Sequence, residues 1–219
     1  MIIKTEQYVL VSANDNRYWA DFFPDWGALA TFIACVNGPA VIEPHYHDND
    51  EFWLWISGEG RARLDHGPEV PFTPGTVVFC PMGAIHEFVS PTVQHNIGVT
   101  THLVRQRHAA HLQAEVDGEP VRTGEGFIVA GADNVGPFTQ GRPRCPLAEL
   151  RLVEGAEEQR LAQGMAIANE YWLLISGQLV LHLPALSVRL SPGDLVILRQ
   201  GVERSLSVVQ ADQVALGRE

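Results

Sequence analysis

The chain has 219 residues, 46% hydrophobic and 19% charged, which suits a globular protein with one large domain or two small β-domains. Fifteen Lys and Arg stand against 26 Asp and Glu, a formal net charge of -11, and the basic residues are scattered apart from Arg105, Arg107 and His108. Such a chain repels nucleic acid and anionic lipid, which excludes both as partners.

Residues 1–24 alternate in short segments broken by a turn cluster at Ser12–Asn16, and 26–37 reads as an apolar strand. Short strands are expected at 39–47, 51–56, 60–64, 76–80, 86–89 and 94–104, each bounded by Gly, Pro, Asn or Asp. Pro71, Pro74, Pro81 and Pro91 exclude long helices there. Evenly spaced short strands of this kind indicate an all-β sandwich or barrel. The polar stretch 105–124 breaks the rhythm and reads as a connector with a helical turn or two. Within it, His108 and His111 are expected to form part of a solvated linker.

The rest of the chain repeats the first part. Glu51-Phe-Trp-Leu-Trp-Ile-Ser-Gly58 recurs at 170–177 with six of eight residues identical, and 75–83 recurs more faintly at 193–201. Two similar β-domains in tandem follow, with expected bounds of 1–112 and 113–219.

The first copy carries chemistry. His45, His47 and Glu51 fall within seven residues, and His86 follows the turn Pro81-Met-Gly-Ala-Ile85. Strand alternation puts His45 and His47 on one face, and likewise Glu51, Trp53 and Trp55. Three imidazoles and a carboxylate suit Fe, Mn, Ni, Cu, Co or Zn as a divalent ion, and make a poor cage for Mg or Ca.

His45-x-His47-x3-Glu51-x6-Gly58 resembles the first signature of the cupin superfamily, and Gly75-x5-Pro81-x-Gly83-x2-His86 resembles its second. Gly38 stands one residue further from His45 than the usual pattern has it, and Ser90 occupies a position that often carries Asn. With the repeat, the chain resembles a bicupin: two tandem jelly-roll (double-stranded β-helix) barrels. The resemblance implies one metal per chain, with iron favoured, bound by His45, His47, Glu51 and His86. It also implies a homodimer.

In the second copy Gly164 and Ala166 stand where the two histidines should be, Glu170 survives, and Arg204 replaces His86. That barrel is expected to lack a metal site. A carboxylate left in a cavity without a cation is unfavourable, which suggests a pair between Glu170 and Arg204.

Four ligands leave two positions open on an octahedral ion. By resemblance, the leading expectation is an O2-using dioxygenase whose small-molecule substrate chelates the metal. The alternatives are a Lewis-acid lyase, isomerase or decarboxylase, with Glu43, Tyr46 or His95 as candidate base, and a non-catalytic binder of a small acid or sugar. Trp53 and Trp55 are candidate pocket walls. His95 and His102 are otherwise ordinary surface or hydrogen-bonded residues. Cys35, Cys80 and Cys145, odd in number and far apart, read as small reduced residues, and with no membrane span or signal-like run the expected location is the cytoplasm.

Overall fold

The structure, a computed structural model, describes residues 2–3, 17–22, 31–100, 110–129, 149–154, 163–211 and 213–218. In chain order the strands are β1 (Ile2–Ile3), β2 (Arg17–Phe22), β3 (Thr31–Asn37), β4 (Ala40–His47), β5 (Glu51–Ser57), β6 (Gly60–Leu64), β7 (Val70–Phe72), β8 (Val77–Cys80), β9 (His86–Ser90), β10 (Gln94–Thr100), β11 (His111–Leu112) and β12 (Phe127–Val129). A single helical turn, α1 (Ala114–Asp117), separates the last two. The second half supplies β13 (Glu149–Glu154), β14 (Gly164–Met165), β15 (Glu170–Leu174), β16 (Gly177–Leu183), β17 (Leu186–Leu190), β18 (Leu195–Leu198), β19 (Glu203–Ala211) and β20 (Gln213–Arg218). The all-β expectation holds, and no described helix is long and apolar enough to cross a membrane.

The chain divides into two compact units, Val9–Asp133 with Arg142–Pro146, and Met1–Tyr8 with Asn134–Gly141 and Leu147–Glu219. This differs from the division expected after residue 112. The apolar triplet of β12 lies along β8, with Phe127 opposite Phe79, and so belongs to the first barrel. β1 pairs with β18 and belongs to the second. Both are short strands that cover a sheet edge which would otherwise present unpaired backbone groups.

The first barrel has two antiparallel sheets, β12-β8-β5-β10-β3-β2 and β11-β4-β9-β6-β7. Side chains from both fill its core: Trp55 stacks on Phe72 (ring centroids 4.3 Å apart) and meets Phe88 edge-on at 5.2 Å. Such aromatic contacts contribute beyond the area they bury. The second barrel pairs β1-β18-β15-β20-β13 with β14-β19-β16-β17 around a core of Trp172, Val196 and six leucines.

The repeat seen in the sequence is a repeat of register. Glu51 lies opposite Cys80 as Glu170 lies opposite Leu198, and His45 lies opposite His86 as Gly164 lies opposite Arg204. The same turn leads into β8 and β18. In Thr73-Pro-Gly-Thr76 and Ser191-Pro-Gly-Asp194, Pro presets the second residue and Gly supplies a positive φ (84° at Gly75, 89° at Gly193). The side chain of the fourth residue accepts from the first residue's N–H: Thr73 N to Thr76 Oγ1 is 3.0 Å, and Ser191 N to Asp194 Oδ2 is 2.7 Å.

Arg204 and Glu170 do pair. Arg204 Nε donates to Oε2 of Glu170 (3.0 Å) and Nη2 to Oε1 (2.8 Å), while Nη1 reaches Gly164 O (2.7 Å). Trp172 Nε1 adds a further bond to Oε2 at 3.1 Å. Both charged residues are buried, so each depends on the other. Arg204→Met leaves the carboxylate buried without its cation and is expected to destabilise the second barrel by about 3–5 kcal/mol. Replacing both, Glu170→Leu with Arg204→Met, restores most of that loss, as denaturant unfolding of the two variants can measure.

Candidate metal centre

Strand β4 reaches the barrel interior through a bulge. Ile42 lies opposite Phe88 and His45 opposite His86, so three steps along β4 match two along β9. The extra residue falls at Glu43-Pro44, where proline has no N–H for the ladder. In a regular strand Ile42 and His45 would face opposite ways; the bulge turns both inward and leaves Glu43 and Pro44 exposed. Glu43, a candidate base from sequence, is therefore exposed and not on the cavity face.

The next ligand candidate, Glu51, opens β5, which is hydrogen-bonded on both sides, to Cys80 of β8 and Thr100 of β10. The turn between His47 and Glu51 is held from outside. Asp48 Oδ1 accepts from Ala110 N (2.9 Å), Asp50 Oδ1 from Met82 N (2.8 Å), and His47 O from Gly83 N (2.9 Å). Gly83 has φ 81°, and a Cβ there would lie 2.4 Å from Val121 O, so no other residue fits. This turn aims His86 back across the barrel.

His45, His47, Glu51 and His86 are all buried and come together, three from one sheet and Glu51 from the other. Each imidazole donates its Nδ1 proton to a backbone carbonyl: His45 to Glu43 O (2.8 Å), His47 to Ala110 O (3.0 Å) and His86 to Ala84 O (3.0 Å). A carbonyl only accepts, so these bonds fix the tautomer and leave Nε2 for a ligand. His47 Nε2 and His86 Nε2 lie 3.2 and 3.5 Å from Glu51 Oε2, yet all three atoms are buried without a hydrogen-bond partner. Two imidazole lone pairs and a carboxylate oxygen repel one another unless a positive charge lies between them. An ion about 2.1 Å from each donor spans separations up to roughly 4.2 Å, so the donors fit a divalent transition metal.

The electrostatics agree. Burial, with His86 and His47 beside it, lowers His45 to about 3, so its lone pair is available at neutral pH. Burial opposes charge on both His47 and Glu51, but their mutual attraction prevails: the imidazole is raised and the carboxylate is held well below its usual range. Burial and the nearby Glu51 raise the Cys80 thiol far up, so it remains protonated.

A fourth histidine joins the cluster. His111 lies opposite His47 across β11 and β4, its ring parallel to that of His45 (centroids 4.7 Å, planes 6° apart). Residues 111 and 112 are strand, not free linker as expected. Sequence spacing could not reveal this, because His111 is more than sixty residues from the strand it joins; a histidine after an apolar pair was the only signal.

The other candidates are elsewhere. Tyr46 points away from His45 and His47 and donates its hydroxyl to Gly118 O (3.0 Å). His95 lies on the opposite face of β10 from Thr100, the residue beside Glu51; burial lowers it to about 4. Trp53 and Trp55 share the inward face with Glu51. Trp55 is core, its Nε1 bonded to Gln94 Oε1 (2.8 Å), whereas Trp53 is half-buried and its Nε1 is buried without a partner. Thr100 Oγ1, on the same face, is also unpartnered. Ser90 bonds Glu59 O and Thr92 O near the far end of β9. His102 and His108 lie outside the described residues.

Residues 32–96 match the family model of the cupin domain. This stretch is a cupin domain. No curated protein sequence matches the chain. Among solved structures, protein Ylba from E. coli is 13% identical with a TM-score of 0.65, covering 100% of this chain and 90% of its own. The putative glyoxylate-induced protein of Pseudomonas aeruginosa is 15% identical (TM-score 0.59; 99% and 87%). A variant of oxalate decarboxylase from Bacillus subtilis is 10% identical (TM-score 0.58; 100% and 77%). These show that the cupin fold extends over the whole chain.

His47→Ala removes a donor from the centre of the cluster. Metal content of the purified variant, by elemental analysis, is expected to fall from about one per chain to near zero, with the far-ultraviolet circular dichroism unchanged.

Proposed function

We propose that the protein is a metal-dependent cupin enzyme, with one divalent transition metal held by His45, His47, Glu51 and His86 and a small oxygen-chelating substrate bound beside it. The observation that carries this reading is the convergence of His47 Nε2, His86 Nε2 and Glu51 Oε2, buried and unpartnered, with each histidine's Nδ1 committed to a carbonyl. Such a metal, when bound, supplies Lewis acidity and, if redox-active, the electrons for dioxygen chemistry. The four-residue ligand set resembles that of cupin dioxygenases, and oxygen insertion into a chelating enol, diketone or phenol is the leading activity.

The chain's own residues set the substrate. The Trp53 indole N–H and the Thr100 hydroxyl are unpaired polar groups on the inward face beside Glu51, and they suit a substrate that offers a second oxygen. The half-buried Trp53 ring gives that substrate an apolar wall. A second reading, metal-assisted decarboxylation of a small acid, draws support from the shared fold with oxalate decarboxylase.

Elemental analysis with an oxygen electrode tests both. About one iron, manganese, nickel or copper per chain, with oxygen uptake on a chelating phenol or diketone that His86→Ala abolishes, supports the dioxygenase. Carbon dioxide release from a dicarboxylate without net oxygen uptake supports the second reading. Protein that takes up no metal after reconstitution overturns both. Trp53→Phe, which keeps the ring and deletes the donor, is expected to raise KM about tenfold with metal content unchanged.

A further inference from the structure

The histidines at this centre form two overlapping sets. The ligand atoms of His47, Glu51 and His86 lie within 4.8 Å of one another, all on buried residues; those of His45, His47 and His111 do so as well, and there His111 is exposed. His47 belongs to both. Resting on the metal reading above, we propose that His111 is the entry ligand: a divalent cation lodges first with His45, His47 and His111 at the solvent side, then passes inward to His47, Glu51 and His86, with His45 following it.

Geometry separates the two stages. His111, the exposed member of the outer set, stacks face to face on His45 (4.7 Å apart, 6° from parallel), so its ring must turn before both bind one ion, whereas the inner set is wholly buried. His47 stands perpendicular to both, at 4.8 Å from His45 and 4.5 Å from His111, and faces either set. His86 lies 4.3 Å from His45, close enough for that ring to complete the inner set once the ion has moved. The exposed ring of His111 can turn to meet an ion that still carries most of its water. Imidazole is a favourable ligand for the ions that suit the inner set. Exchange of water for one ring at a time replaces a single costly desolvation by smaller steps.

The segment is well placed for this. Ala110, the neighbour of His111, accepts the Nδ1 proton of His47 through its carbonyl and donates its N–H to Asp48, so the strand carrying the entry ligand also orients the shared one. His111 is outside both cupin signatures and adds a ligand on the solvent side.

The test is the rate of metal uptake. Metal-free wild type and His111→Ala are mixed with Co(II) in a stopped-flow instrument, and the Co(II) absorption bands give both rate and coordination. For His111→Ala, uptake slowed at least tenfold, with a final stoichiometry of about one and an unchanged spectrum, supports the entry role. His111→Gln, with a weaker oxygen donor, should fall between. An unchanged rate overturns the proposal. A changed spectrum or lost stoichiometry overturns it also, because His111 would then be a resident ligand. If wild-type protein binds no Co(II) at all, the metal reading itself fails and the entry role with it. Because His111 is exposed on a two-residue edge strand, the variant is expected to fold, and circular dichroism checks that.

Discussion

Electron pairs that face one another in a dry interior need a positive charge between them, and the first barrel is built around that requirement. His47 Nε2, His86 Nε2 and Glu51 Oε2 point at a common space, and none has a hydrogen-bond partner. The surroundings remove every easier solution. Carbonyls of Glu43, Ala110 and Ala84 hold the outer ring nitrogens, so the imidazoles cannot turn to share their Nδ1 protons. The bulge at Pro44 points His45 inward, and Gly83, pressed against Val121, fixes the turn that delivers His86. Held so, the inner set of His47, Glu51 and His86 is preorganised for an ion.

The second barrel meets the same requirement with its own atoms. The strand register is retained, Glu170 occupies the equivalent place, and the guanidinium of Arg204 binds both carboxylate oxygens. Arginine suits this because its planar fork matches a carboxylate and keeps its charge at any physiological pH. The tryptophans two residues after each glutamate differ in the same sense: Trp172 donates to Glu170, whereas Trp53 keeps its N–H unspent beside Glu51. One barrel has closed its centre; the other has kept donors available.

What the sequence disclosed was chemistry carried by short spacing. His45-x-His47 and Glu51 lie on strands consecutive in the chain, His86 follows a recognisable turn, and the repeat offset pointed from Glu170 to Arg204. What it concealed depended on departures from regular alternation or on distant pairing. Glu43 was a candidate base until the bulge turned it outward, and a bulge leaves no mark in a residue pattern beyond the proline. Tyr46 was a candidate base until Gly118, 72 residues away, claimed its hydroxyl. His111 read as connector and the triplet Phe127–Val129 as part of the second domain, because a two- or three-residue edge strand has too few residues to show a period, and only the sheet edge it covers reveals where it belongs. Trp53 and Trp55 share a face, but which of them is core was decided by Phe72 and Gln94.

The candidate ligands of the first barrel come from both of its sheets, His45, His47 and His86 from one and Glu51 from the other. A bound ion is therefore also a cross-link, joining the faces of the sandwich much as a disulfide joins two strands. Its contribution follows mass action: free metal at a thousand times its dissociation constant stabilises the folded barrel by about 4 kcal/mol, and none of that remains when a chelator empties the site. The Arg204–Glu170 bridge is independent of supply. With an ion bound, the stability of the first barrel would follow the metal in its surroundings, while the Arg204–Glu170 bridge is fixed when the chain is made.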